Sequence, residues 1–104
     1  MNRDLMTLNE VLGNGIYFYR EELTGLWMTF GYSAYLLSQI DGLHTLSGYS
    51  ENMQMPCVCI ANTDFRKMVS DHASVVECKD GYYHWHTACE VDASAYQRWT
   101  ESLK

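Results

Sequence analysis

The chain is short of positive charge. Its 104 residues carry seven Lys+Arg against thirteen Asp+Glu, a formal net charge of -6. The cations Arg3, Arg20, Arg66, Lys67, Lys79, Arg98 and Lys104 are scattered, and only Arg66 and Lys67 are neighbours. A protein that binds a phosphate backbone unaided presents a basic face, so this distribution argues against tight autonomous nucleic-acid binding. Long apolar runs are missing too. No stretch approaches the roughly 18 residues of a membrane span, and no basic start leads into an apolar run of the secretory kind. A cytoplasmic protein with no membrane contact is expected. Thiols stay reduced there, so Cys57, Cys59, Cys78 and Cys89 are expected to be buried thiols and not disulfides. There is no internal repeat, no low-complexity segment, no linker and no motif that identifies a reaction.

Apolar and aromatic residues are abundant. Hydrophobic residues make up 47% and charged ones 19%, the balance of a globular chain. One domain over residues 1–104 fits this length. Eight Tyr, three Trp and three Phe are many for so small a body, so some aromatic surface is expected to face a partner or a second copy.

Periodicity gives the element order. Leu5, Leu8, Val11 and Leu12 recur at helical spacing and stop at Gly13-Asn14-Gly15. Ile16 to Arg20 and Leu26 to Phe30 read as strands of a hairpin with a turn over Glu21 to Gly25. From Ser33, Ala34, Leu37 and Ile40 share a helical face that Asp41-Gly42 ends. Leu43 to Gln54, rich in Ser, Gly and Asn, reads as a long loop. Met55 to Ala61 is apolar on both faces and reads as a strand covered on both sides. Asn62 or Thr63 is placed to cap a following helix with Phe65, Met68 and Val69 inward. Ser74 to Cys78 and Tyr82 to Cys89 read as hairpin strands around Lys79-Asp80-Gly81. Asp92 caps a last helix bearing Tyr96, Trp99 and Leu103.

The order strand, strand, helix, loop, strand, helix, strand resembles the N-terminal domain of the MutS mismatch-repair proteins. Phe18-Tyr19-Arg20, Leu26-Trp27-Met28-Thr29-Phe30 and Tyr32-Ser33-Ala34 match that family's opening strands and helix start. Met55-Pro56-Cys57-Val58-Cys59-Ile60-Ala61, the Asp64 to Asp71 helix and Val75-Val76-Glu77-Cys78 match its next block. The likeness covers roughly Gly15 to Cys78. Tyr19-Arg20-Glu21 and Ser33-Ala34 are closer to the small standalone bacterial proteins that carry such a domain without the ATPase. The resemblance implies a single α/β domain with a mixed β-sheet flanked by helices. In that family a Phe-x-Glu of the second strand reads the mismatch, the Phe wedging into the base stack. Alignment on Ala34 puts Leu26 and Met28 there, and the turn is about two residues longer. Leucine can wedge a base step, but Met28 offers no carboxylate, so loss of mismatch reading is expected.

Several residue groups bear on function. Cys57-x-Cys59 and His84-x-His86 each put two donors on one strand face, and neighbouring strands would bring the four around a zinc ion. Strand-borne cysteine is commonly core, so no metal site and no cofactor are expected. Cys89 beside His84 or His86 could act as a nucleophile, but Glu90 and Asp92 oppose the electropositive setting it needs. Asp64, Asp71, Glu77 and Asp80 fill plain roles at helix ends, a solvent face and a turn. No enzyme active site is expected.

The surface expected to meet a partner or nucleic acid comprises Tyr17, Tyr19, Arg20, Trp27, Tyr32, Arg66 and Lys67. The reading is an accessory binding domain in a DNA-linked bacterial system, repair or a mobile element. Nucleic-acid contact would be weak, salt-sensitive or indirect. The alternative is a protein-interaction or homodimerisation module with no nucleic-acid contact.

Overall fold

Aromatic and β-branched residues crowd residues 15–30, and each disfavours helix while fitting a pleated surface. In a computed structural model, which describes residues 15–40, 42–79, 82–86 and 91–104, they form strands β1 (Gly15–Arg20) and β2 (Trp27–Phe30). The turn between them is closed by Gly25 N–H on Glu21 O and Glu21 N–H on Leu26 O, both at 2.8 Å. Four more strands follow: β3 (Thr45–Ser50), β4 (Met55–Ile60), β5 (Val76–Lys79) and β6 (Tyr82–His86). Helices α1 (Gly31–Ser38), α2 (Asn62–Asp71) and α3 (Ala93–Leu103) complete the domain.

The sheet order is β3-β4-β2-β1-β6-β5, and every described pairing is antiparallel. The mixed α/β class therefore holds, whereas the expected mixed sheet does not. The reason lies in residues 43–54, read as a loop from sequence. They contain β3, which turns the chain back once more before β4. A strand–helix–strand crossover would have set β4 parallel to β2; the added reversal makes them antiparallel. Strands β4 and β5, joined through α2, do run in one direction, but three strands separate them and they never pair.

Both sheet faces are buried over the central strands. One carries Ile16, Phe18, Val58 and Ile60 against Ala34 and Leu37 of α1 and Phe65 and Met68 of α2. Helix α3 docks beside α1 through Tyr35 and Trp99, whose ring centroids are 5.4 Å apart. The other face carries Tyr17, Tyr19, Phe30, Cys57 and Tyr82, with Met28, Met53, Met55 and Cys59 packed against them. Alternation along β1 thus selects between two interiors, not between interior and water. Tyr17 and Tyr19, expected at a partner surface, are only 3% and 4% exposed. The backbone follows the same economy. Gly31 (φ 62) swings the chain from β2 straight into α1, and the Tyr17 N–H donates to Ser33 Oγ at 3.0 Å in the interior.

Local expectations fare unevenly. Asp92 caps α3, its carboxylate accepting from Ser94 N–H at 2.9 Å and Ala95 N–H at 3.4 Å. Neither Asn62 nor Thr63 caps α2: Ala61 holds that position without a side-chain bond, and Asn62 Oδ1 accepts from Trp27 Nε1 at 2.9 Å. Helix α1 ends at Ser38. The Ser74 to Cys78 stretch opens as a 3-10 turn, with β5 proper beginning at Val76. Lys79 pairs with Tyr82. The helix expected over Leu5 to Leu12, Asp41, Asp80-Gly81 and Cys89 lie outside the described residues. No described helix is long and apolar enough to cross a membrane.

Candidate functional site

Three groups of chemistry-bearing side chains emerge from this arrangement. The first is a cavity of about 310 Å³ beside the end of β1. Arg20 ends that strand, Trp27 opens β2 across from it in register, and Tyr83 comes from β6. Asn62, Phe65 and Arg66 reach it from the first turns of α2. The indole of Trp27 is held on three sides. It stacks on Phe65 with centroids 3.9 Å apart, lies 5.2 Å from Tyr83, and donates its N–H to Asn62. The hydrogen bond that a capping Asn would have spent on its helix instead fixes this ring. Among the described residues neither Arg20 nor Arg66 has an ion-pair partner, and no carboxylate lines the cavity. A fixed aromatic plane beside two unpaired guanidiniums suits a planar, anionic ligand.

Lys67 does not join them. Consecutive helical residues point about 100° apart, and Lys67 turns to a separate cavity of about 210 Å³ with Asp64, Asp71, His72 and Trp85. Tyr32 lies at the seam between α1 and α3, edge-on to Tyr96 at 4.5 Å and still 38% exposed. Of the seven residues expected at a partner surface, Arg20, Trp27 and Arg66 converge. Tyr17, Tyr19, Tyr32 and Lys67 lie elsewhere.

The second group is the cysteine pair. Strands β2 and β1 stand between β4 and β6, so Cys57 and Cys59 never meet His84 and His86. The two thiols do meet each other, Sγ to Sγ at 3.7 Å, and face a cavity of about 360 Å³ with Met28, Leu46, Gly48 and Tyr49. Both are free thiols, as is Cys78; Cys57 is buried, Cys59 half-buried, and Cys78 exposed rather than buried as expected. Hydrogen bonding from the Cys57 thiol brings Cys59 down to about 7, against the raising effect of burial. The same hydrogen bond and burial push Cys57 upward.

Thiolate is the reactive form, so alkylation of Cys59 by iodoacetamide is expected to rise with pH through a midpoint of about 7 and then level off. Replacing the donor, Cys57→Ala, moves that midpoint upward. It slows the reaction at pH 7 roughly tenfold, after allowing for the weaker intrinsic nucleophilicity of a low-pKa thiolate. Residue-resolved mass spectrometry after timed labelling reads this, with exposed Cys78 as internal reference. A Cys59 midpoint unchanged by Cys57→Ala would exclude the thiol–thiolate pair.

The third group was not foreseen. His84 and His86 share a face of β6, and the β5–β6 register sets Glu77 opposite His84. Glu77 Oε1 lies 2.7 Å from His86 Nε2 and 3.9 Å from His84 Nδ1. Glu77 therefore joins two imidazoles, not the aspartates with which it was considered. The signal was present: a two-residue turn at 80–81 sets 79 opposite 82, and so 77 opposite 84.

In comparisons with known proteins, the chain matches no protein-family model, no curated protein and no solved structure.

Proposed function

We propose that this chain is a non-enzymatic accessory binding domain of a DNA-linked bacterial system, contacting single-stranded nucleic acid weakly through the Arg20–Trp27–Arg66 cavity. The likeness of residues 15–78 to the MutS N-terminal domain supports the DNA link. The observation that carries the contact is the pair of unpaired guanidiniums flanking an immobilised indole. A phosphate between Arg20 and Arg66 with a base against Trp27 uses each group for what it does best. Mismatch reading is not part of the proposal. Met28 packs on the opposite sheet face with Cys59 and has no carboxylate to offer.

The contact is shallow and the whole chain is anionic, so a Kd on the order of 100 µM near physiological salt is expected. Two neutralised phosphates on a single strand give a slope of about -1.4 in log K against log salt. Anisotropy of a labelled single-stranded oligonucleotide measures both. Arg20 and Arg66 are exposed, so the double variant R20A/R66A should fold normally and lose the binding. Affinity equal in the double variant, or none in the parent at low salt, overturns this reading. One observation favours the alternative of self-association: β3 is an edge strand and its Leu46 is 71% exposed.

A further inference from the structure

We propose that Glu77, His84 and His86 form a three-ligand site for a divalent cation of the zinc class. This donor set differs from the Cys/His quartet that the sheet order separates. It also lies on the sheet face opposite Trp27, so it is independent of the nucleic-acid reading.

The donor atoms of the three residues all lie within 4.8 Å of one another. Donors about 2.1 Å from a tetrahedral zinc ion stand roughly 3.4 Å apart. The two separations from Glu77 Oε1, 2.7 Å and 3.9 Å, bracket that value, so small side-chain rotations suffice to admit the ion. A simple histidine–carboxylate ion pair explains the 2.7 Å contact. The same carboxylate oxygen has a second imidazole nitrogen, His84 Nδ1, 3.9 Å away.

The surroundings fit a ligand site. His84 is buried, and its ring stacks on Tyr17 with centroids 4.1 Å apart and planes 6° apart. Its Nε2 is pressed toward the backbone at Gly15, where an added Cβ would stand 2.8 Å away. The ring is therefore held with Nδ1 turned toward Glu77. On the other side the His86 and Glu77 side chains are 49% and 44% exposed, which leaves an approach from solvent. Two imidazoles and one carboxylate match zinc among common divalent ions, with copper as competitor and calcium and magnesium disfavoured. Three protein ligands leave the fourth position to water.

The test uses the full chain, stripped with a chelator and kept reduced. Cobalt(II) is titrated while visible absorption is followed, and zinc is titrated by calorimetry. About one ion per chain is expected, with micromolar affinity and a cobalt spectrum of tetrahedral or five-coordinate intensity. E77Q and H86Q alter exposed positions, so both should retain the parent circular dichroism; each should weaken binding at least tenfold. A C57S/C59S/C78S/C89S variant, which removes all four thiols, controls for thiol ligation and should bind as the parent does. Three results overturn the proposal: no uptake by the parent at about 100 µM metal, uptake unchanged in E77Q and H86Q, or uptake lost in the cysteine variant.

Discussion

Phe18→Ala should cost this domain about 4 kcal/mol, near a thousandfold in the folded-to-unfolded ratio. Phe18 is fully buried on β1, which lies between β2 and β6. Its ring meets Phe65 of α2 edge-on at 5.2 Å and shares a cluster with Leu37 of α1 and Val58 of β4. Truncation removes packing against both helices and opens the cluster that they share with Val58. The sheet backbone cannot collapse into the void, because its ladder continues on either side of the residue. A chain of this length is stable by roughly 5–15 kcal/mol, so the variant should fold but melt roughly 15–20 °C lower. Leu23→Ala, in the exposed β1–β2 turn, should stay within about 0.5 kcal/mol of the parent. Thermal and urea unfolding followed by circular dichroism give both numbers. A loss under about 1.5 kcal/mol for Phe18→Ala would mean that β1 is not the centre of the core.

The second large effect is expected from one methyl group. Gly15 has φ +146, and a Cβ built on it would stand 2.2 Å from the Trp85 carbonyl oxygen and 2.8 Å from His84 Nε2. Neither approach is tolerable, and the first is to backbone, so no rotamer change relieves it. Gly15 also pairs with His86 at the first step of the β1–β6 ladder. Alanine there must part the two strands at that end. A cost of about 3 kcal/mol follows from the strained φ and the lost pairing together. Gly25 is the control: its φ is +73 but nothing lies within 4 Å of an added Cβ, so alanine there should cost about 1 kcal/mol. Hydrogen exchange adds a local signature. The amides of Tyr83 to His86 should lose protection in Gly15→Ala before those of β2 and β4 do. Equal stability of the two glycine variants would contradict the close approach of β1 to β6.

Much of the secondary structure was legible because it rests on short-range chemistry. The β1–β2 hairpin follows from two aromatic runs around a Gly-ended turn. The Asp92 cap follows from a carboxylate two residues before an open N–H. The Phe65 and Met68 face of α2 follows from helical period. β3 was not legible for an equally physical reason. Thr45-Leu46-Ser47-Gly48-Tyr49-Ser50 has no apolar alternation, because an edge strand with little burial has no need of one. It is held by its ladder to β4, an interaction between backbones that side-chain pattern does not record. Missing it left a mixed sheet expected where every described pairing is antiparallel.

The candidate sites divide along the same line. By itself the sequence determined the helix faces that enter the core, the β1–β2 and β5–β6 hairpins, the acidic balance of charge and the presence of the donors Glu77, His84 and His86. These depend on residue type and on spacing within one or two turns of chain. The tertiary structure decided which donors meet. The sheet order put β2 and β1 between the cysteines and the histidines. The helix α2 carried Arg66 to Arg20, 46 positions away, and turned its neighbour Lys67 aside. Burial of both sheet faces took Tyr17 and Tyr19 out of any surface. Such outcomes depend on strand order and on what covers each face, and these are set by the free energy of the whole packed domain, not by any local run of residues.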